Sequence, residues 1–504
     1  MGSGFSVSRP RTAAHEGVKT VCGASEKSVC TLRNYNWPSP PTMSVTLLPA
    51  TEQLALLQRR AITPLELAEA HIAQIQRLNP KLNAFADFDA ERTRAHAAQV
   101  RPGPLSGLPM TVKSSISVAG LRCEIGSTLN RGSIPNTNAV LVDRLIESGA
   151  LILGTTNCPE FLMAYETENL LYGSTRNPWN LEYSAGGSSG GEAAAIAAGM
   201  SAGGLGSDSG GSVREPAHFT GICALKPTAG RFPAAGHLPP CLGPFAFMGS
   251  IGPMARTVGD LQLLFATLSG QDPNDPNSAP ILHRRVSRDE AKQVPIGWFE
   301  DDGIVPVTPE TRASVQQTVR ALERQGFKLK PFRPASLEAA RKRWWTFFVQ
   351  CGAMLYAPTI RGREDQLSPT FRDFLEIAGA ETSLTADSLL DAWVESDKVR
   401  ARLLDEMRQL PILLCPVCSI PAFKPFERRW TVDGQTVAYL DAMRFTQWFN
   451  LLGGPAAVVP VSRSPEGLPI GVQIAGRPFA DELVLQVAAA IEADFGYQPP
   501  PMAL

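Results

Sequence analysis

Two glycine-serine clusters, with Ser188 and Ser212 24 positions apart, place the tightest limits on the backbone of this chain. The first is Gly186-Gly187-Ser188-Ser189-Gly190-Gly191. The second is Gly206-Ser207-Asp208-Ser209-Gly210-Gly211-Ser212-Val213-Arg214. Glycine admits backbone angles closed to other residues and lets N–H groups approach a ligand, so each cluster reads as a turn. Between them, residues 192–199 form a helix of small residues able to pack tightly on a sheet, and residues 202–206 lead into the second turn. A lone lysine ends the run Met110-Thr111-Val112-Lys113, 75 positions before Ser188. Residues 107–112 read as a short buried strand that delivers it. Serines at two glycine-rich tips can supply a nucleophile and oxyanion donors, and a buried lysine can supply a base.

Elsewhere strands alternate with helices, which makes the chain α/β. Thr63-Pro64-Leu65-Glu66 predicts a capped helix start, with Leu65, Ala68, Ile72 and Ile75 on one face and Asn79-Pro80 as its stop. Helices are expected over 138–148, 258–268 (N-cap Thr257), 309–325, most of 335–405 and 481–494. Strands are expected over 150–153, 296–299, 457–461 and 470–474. A turn is expected at 154–157 and a loop over 170–191. The polar run 271–293 reads as a surface loop inside one domain spanning 43–504. Residues 1–42 lack the apolar core of a signal peptide and read as a disordered N-terminal extension or leader.

Composition narrows the function class. The net charge of −1 offers no basic excess for nucleic acid, and no apolar stretch is long enough for a membrane span. Nine scattered cysteines fit a reducing, cytoplasmic setting. Cys415-Pro416-Val417-Cys418 reads as two thiols following the strand residues Ile412-Leu413-Leu414, because no second pair completes a zinc set. No metal and no cofactor is expected. G-x-S-x-G occurs around both Ser188 and Ser189, but no histidine follows His283, which argues against a Ser-His-Asp hydrolase.

Taken with their flanks, the clusters resemble the amidase signature family of serine amidohydrolases. The matching stretches include Gly107 through Lys113, Ser174-Thr175-Arg176-Asn177-Pro178-Trp179-Asn180, Gly186 through Glu192, and Gly206 through Arg214. They continue through Gly221-Ile222-Cys223-Ala224-Leu225-Lys226-Pro227-Thr228, Asn450-Leu451-Leu452-Gly453-Gly454-Pro455 and Gly467 through Gly476. The resemblance runs from about Thr63 to the closing helix. It implies a large twisted mixed β-sheet flanked by helices on both faces, and a Ser–cis-Ser–Lys triad. Ser212 would be the nucleophile, Ser188 the bridging serine and Lys113 the base. Backbone N–H groups of Ser209, Gly210, Gly211 and Ser212 would form the oxyanion hole. Gly187, Asp208 and Arg214 would support the loops, and Met163 and Tyr165 fall where the family builds its pocket.

The chemistry also stands on the residues themselves. A serine hydroxyl attacks only when a neighbour takes its proton. A lysine is charged at neutral pH unless burial lowers its pKa, and no acid adjoins Lys113 in sequence. Ser114 stands where the family often has aspartate, which changes the local hydrogen bonding. Arg214 reads as an ion-pair partner rather than a substrate clamp, and Trp344 through Phe348 as core rather than pocket wall. The expected activity is hydrolysis of linear amides, anilides or carbamates through an acyl-enzyme, on small neutral molecules, with esters accepted. An amidase subunit of a tRNA-dependent amidotransferase is the alternative. A homodimer is compatible with the sequence.

Overall fold

A computed structural model describes residues 44–503. The expected extension over 1–42 lies outside these residues.

Eleven strands form one mixed sheet in the order Phe85–Phe88, Leu151–Thr156, Pro109–Lys113, Gly203–Asp208, Ser250–Ala255, Cys223–Lys226, Ala456–Arg463, Pro469–Gly476, Ile412–Pro416, Ile296–Trp298 and Leu329–Pro331. Pro109–Lys113 runs parallel to both of its neighbours, and Ile296–Trp298 does the same. The other pairings are antiparallel. Successive strand residues point to opposite faces. Accordingly Ile412 and Leu414 join the core beneath helices Val258–Leu268, Pro309–Arg324 and Asp481–Phe495. Leu413 and Cys415 join the opposite core with Trp344, Phe347 and Trp448. Helices therefore cover both faces, and the expected α/β architecture is present.

Local signals behave as chemistry dictates. Thr63 Oγ1 accepts from the Glu66 N–H while the Glu66 carboxylate accepts from the Thr63 N–H, opening helix Pro64–Leu82. Ala68, Ile72 and Ile75 are buried, but Leu65, in the first turn, is 42% exposed. Pro80 does not stop this helix. It sits in the last turn, and the chain leaves the helix at left-handed Asn83. Asn79 Oδ1 caps the exit by accepting from the N–H groups of Ala84 and Phe85.

The expected turn at 154–157 is instead the end of strand Leu151–Thr156. Gly154 is required there by packing, since a Cβ would lie 2.2 Å from the Asp87 carbonyl oxygen. The loop over 170–191 contains a small hairpin pairing Arg176–Asn177 with Asn180–Ser184. Within the polar run, Ser287 and Glu290 form a capping box that starts helix Arg288–Gln293. Cys415 and Cys418 are buried free thiols. No described helix is long and apolar enough to cross a membrane.

The fold places the glycine-serine clusters side by side. Pro109–Lys113 and Gly203–Asp208 are parallel neighbours, so Lys113 and the second cluster emerge at the same sheet edge. Helix Gly190–Ala197 begins directly after Ser188 and Ser189, and its small side chains let it lie against both strands.

Candidate active site

Lys113 is fully buried. Its Nζ lies 2.6 Å from Ser188 Oγ and 3.2 Å from Ser207 Oγ. Burial pushes its pKa down to about 8, against the opposing influence of Cys158, Asp208 and Glu192. Ser114, standing where the family often has aspartate, pairs its hydroxyl with the Cys158 thiol at 3.3 Å. The Gly187–Ser188 peptide is cis. Gly187 is needed for close approach, because a Cβ would meet the Glu166 backbone at 2.6 Å. Ser188 and Ser212 line the same cavity, and the Ser189 N–H donates to the Ser212 carbonyl at 3.1 Å, tying the clusters together.

Asp208 organises the second cluster. Its carboxylate accepts from the Gly211 N–H at 2.8 Å, the Val213 N–H at 3.2 Å and Asn450 Nδ2 at 3.0 Å. Arg214 clamps it with two bonds of 2.9 Å. Burial alone would raise the Asp208 pKa, but the Arg214 guanidinium overrides it and holds the carboxyl well below the usual range. Arg214 also donates to the Thr446 carbonyl and to Gln473 Oε1, so it braces the loop and lines neither cavity at Ser212. Both ions are completely buried. Arg214→Met is expected to cost about 3–5 kcal/mol by stranding a buried carboxylate. A chemical-denaturation midpoint unchanged from wild type would contradict this.

The Gly211 N–H, expected among the oxyanion donors, is engaged by Asp208. Among the described residues, the N–H groups of Ser209, Gly210 and Ser212 have no acceptor within the chain. The loop's carbonyls are held by side chains from elsewhere. Trp344 Nε1 donates to the Ser209 carbonyl at 2.8 Å. Tyr165 and Thr446 hydroxyls donate to the Gly210 carbonyl at 2.8 and 2.6 Å. Pinning the carbonyls this way fixes the orientation of the peptide N–H groups before a ligand arrives.

Two chambers meet at Ser212 and share Leu162, Met163 and Phe348. The first adds Ser188, Ser207, His237, Cys241 and Phe245. The second adds Tyr165, Gly210, Val349, Phe374 and Leu440. Met163 thus faces both chambers and Tyr165 one. Phe348 lines the cavity while Trp344 stacks behind it, ring centroids 4.7 Å apart, and Phe347 belongs to the core. Phe348 was read with its segment as core and is instead cavity wall, whereas Ser207, Thr446 and His237 were not singled out by sequence reasoning. Ser207 carried a signal, its place in the second cluster, but strand pairing alone brings it to Lys113. Burial pushes the His237 pKa down to about 4, so it is neutral. Neither chamber is lined by an Asp, Glu, Lys or Arg side chain among the described residues.

The amidase family model matches residues 66–485. An acylamidase of Rhodococcus erythropolis is 34% identical over 463 residues, spanning 88% of this chain and 95% of the relative. One subunit of the glutamyl-tRNA(Gln) amidotransferase of Roseiflexus castenholzii is 34% identical over 487 residues, spanning 90% of this chain and 96% of the relative. The solved structure of 6-aminohexanoate cyclic dimer hydrolase complexed with substrate superposes with a TM-score of 0.81 at 27% identity, covering 91% of this chain and 100% of that one. The match across the sheet, both clusters and the closing strands makes this chain a member of the amidase family and an amidohydrolase acting on carbon–nitrogen bonds of linear amides.

Proposed function

We propose that the protein hydrolyses small neutral amides that are apolar on both sides of the scissile bond, through an acyl-enzyme on Ser212. Lys113 takes the Ser188 proton as Ser188 takes that of Ser212. Ser212 Oγ attacks the carbonyl carbon, and the oxyanion is held by the N–H groups of Ser209, Gly210 and Ser212. Each such donor contributes up to about 3–4 kcal/mol in the transition state. The proton then returns through Ser188 to the leaving nitrogen, which matters because an amide anion is a poor leaving group. Water repeats the sequence on the acyl-enzyme. The observation that carries this reading is the buried Lys113 amine, 2.6 Å from a hydroxyl that shares a cavity with Ser212.

The relay also assigns the chambers. Ser188 must reach the leaving nitrogen, so the amine portion occupies the chamber that Ser188 lines. The acyl portion occupies the chamber of Tyr165, Val349 and Phe374. Cys241→Trp should therefore lower kcat/KM for bulky anilides by about tenfold or more while leaving deacylation untouched. Val349→Trp should slow both steps for bulky acyl groups. Single-turnover and steady-state kinetics on substrates sharing one acyl group separate the two steps; a Cys241→Trp effect on deacylation would reverse the assignment.

The similarity to an amidotransferase component supports a second reading, in which the substrate is glutamine and partner subunits receive the ammonia. Glutamine carries an ammonium and a carboxylate, and neither chamber lining offers an ion to pair with them. Burying an unpaired ion costs several kcal/mol. Purified protein is expected to hydrolyse anilides, alkyl amides, esters and carbamates but not glutamine. Glutamine hydrolysis that appears only with partner subunits would favour the second reading.

A further inference from the structure

Glu192 is fully buried one layer beneath the lysine. Among the described residues its two oxygens hydrogen-bond with two threonine hydroxyls alone, Thr111 Oγ1 at 2.5 Å and Thr156 Oγ1 at 2.8 Å. Both threonines are neighbours of Lys113. Thr156 is its partner in the parallel ladder, and Thr111 precedes it by two residues on the same face of the strand. Gly204 leaves room for the carboxyl group, since a Cβ there would lie 1.9 Å from Glu192 Oε1.

Hydroxyl protons can be counted along this chain of contacts. Ser201 donates its proton to the Gly203 carbonyl, 2.8 Å away. Thr111 Oγ1 lies 3.0 Å from Ser201 Oγ, so the single Thr111 proton is needed there. The contact between Thr111 and Glu192 then requires a proton from Glu192. An ionised Glu192 would instead draw the Thr111 proton to itself, leaving the Thr111 and Ser201 oxygens facing each other with no hydrogen between them.

We propose that Glu192 is a neutral carboxylic acid in the resting enzyme, a positioning residue that adds no negative charge to hold the proton on Lys113 and that titrates with it as a coupled pair. Burial supports this by pushing the Glu192 pKa up to about 8, against the Thr111 and Thr156 hydrogen bonds and Lys113. The other titratable groups around Lys113 are already settled. Asp208 is neutralised by Arg214, burial pushes the Cys158 thiol up, and His237 is neutral. An ionised Glu192 would hold the proton on Lys113, and a charged amine cannot accept one from Ser188. As pH rises through the pair, loss of the first proton is shared between the two groups, so neutral lysine accumulates over a wider range than one group gives.

This inference rests on Lys113 being the base, which Lys113→Ala tests separately; the charge of Glu192 is read independently of activity. Infrared difference spectra at pH 7 between wild type and Glu192→Gln are expected to show loss of a protonated-carboxyl C=O band. Loss of a carboxylate band instead overturns the proposal. In the same variant, the rise of kcat/KM with pH is expected to sharpen to a single-proton step. A limb that moves in parallel to lower pH means that Glu192 was ionised throughout, and a limb unchanged in position and shape removes the coupling; either overturns the proposal. If Glu192→Gln fails to fold, Thr111→Val serves: the protonated-carboxyl band should persist at higher frequency after losing its acceptor, and absence of that band overturns the proposal.

Discussion

Ser212→Ala is expected to lower amide turnover by at least about 10⁴-fold with little change in substrate affinity, because removing the nucleophile of a relay forfeits nearly all that the relay supplies. The oxyanion N–H groups and the chambers stay in place, so residual hydrolysis above the uncatalysed rate should persist. The Ser212 side chain makes no hydrogen bond within the described residues, so the variant should fold normally. Two measurements check this: steady-state kinetics with an anilide, and mass spectrometry after treatment with a fluorophosphonate. Wild type should carry one adduct on Ser212 and the variant none. Turnover near wild type, or an adduct on another serine, would reassign the nucleophile.

The second large effect concerns Lys113. Lys113→Ala should lower kcat/KM for amides by at least about 10²-fold, and esters should suffer less. The difference between substrates follows from the leaving group: an alkoxide departs without a proton, whereas a nitrogen leaving group must receive one through Ser188. The sign of the pH dependence is also set. Burial brings the Lys113 pKa down to about 8, so the amine is charged below that value and free above it. Acylation by wild type should rise with pH toward about 8 and then level off. In Lys113→Ala that limb should vanish. A wild-type limb that survives the substitution would mean that another group is the base.

How far these residues could be read from sequence follows from the range of the forces that place them. Lys113 was visible because an apolar run ending in a single cation already implies a buried strand with a charged end. The Thr63 cap was visible because all of its partners lie within three positions. Pro80 misled because a proline in a last turn sacrifices only one bond, and the helix runs on to Leu82 before the Asn79 side chain caps its exit by accepting from the Ala84 N–H. Gly154 misled because its reason is the carbonyl of Asp87 on an adjacent strand, which no local pattern records.

The aromatic segment was divided by a feature that periodicity does not reveal. A π-helical turn over Thr346–Gln350 shifts the phase, so Phe347 enters the core while Phe348 faces the cavity. In the second cluster the glycines announced a loop, but only the fold shows that Asp208 claims the Gly211 N–H, and that Tyr165, Trp344 and Thr446 hold the carbonyls. Those partners lie 45, 135 and 236 positions from the loop residues that they hold.

The order of the strands has a consequence for biosynthesis. Ala456–Arg463 and Pro469–Gly476 come last in sequence among the described strands, yet they sit in the interior of the sheet, between Cys223–Lys226 and Ile412–Pro416. They join the half that bears both serines to the half that begins at Ile296. Gln473, which receives the Arg214 guanidinium, belongs to the very last of them. A ribosome therefore releases every reactive side chain long before it releases the strand that rigidifies their loop, and competence for hydrolysis waits for that strand to emerge.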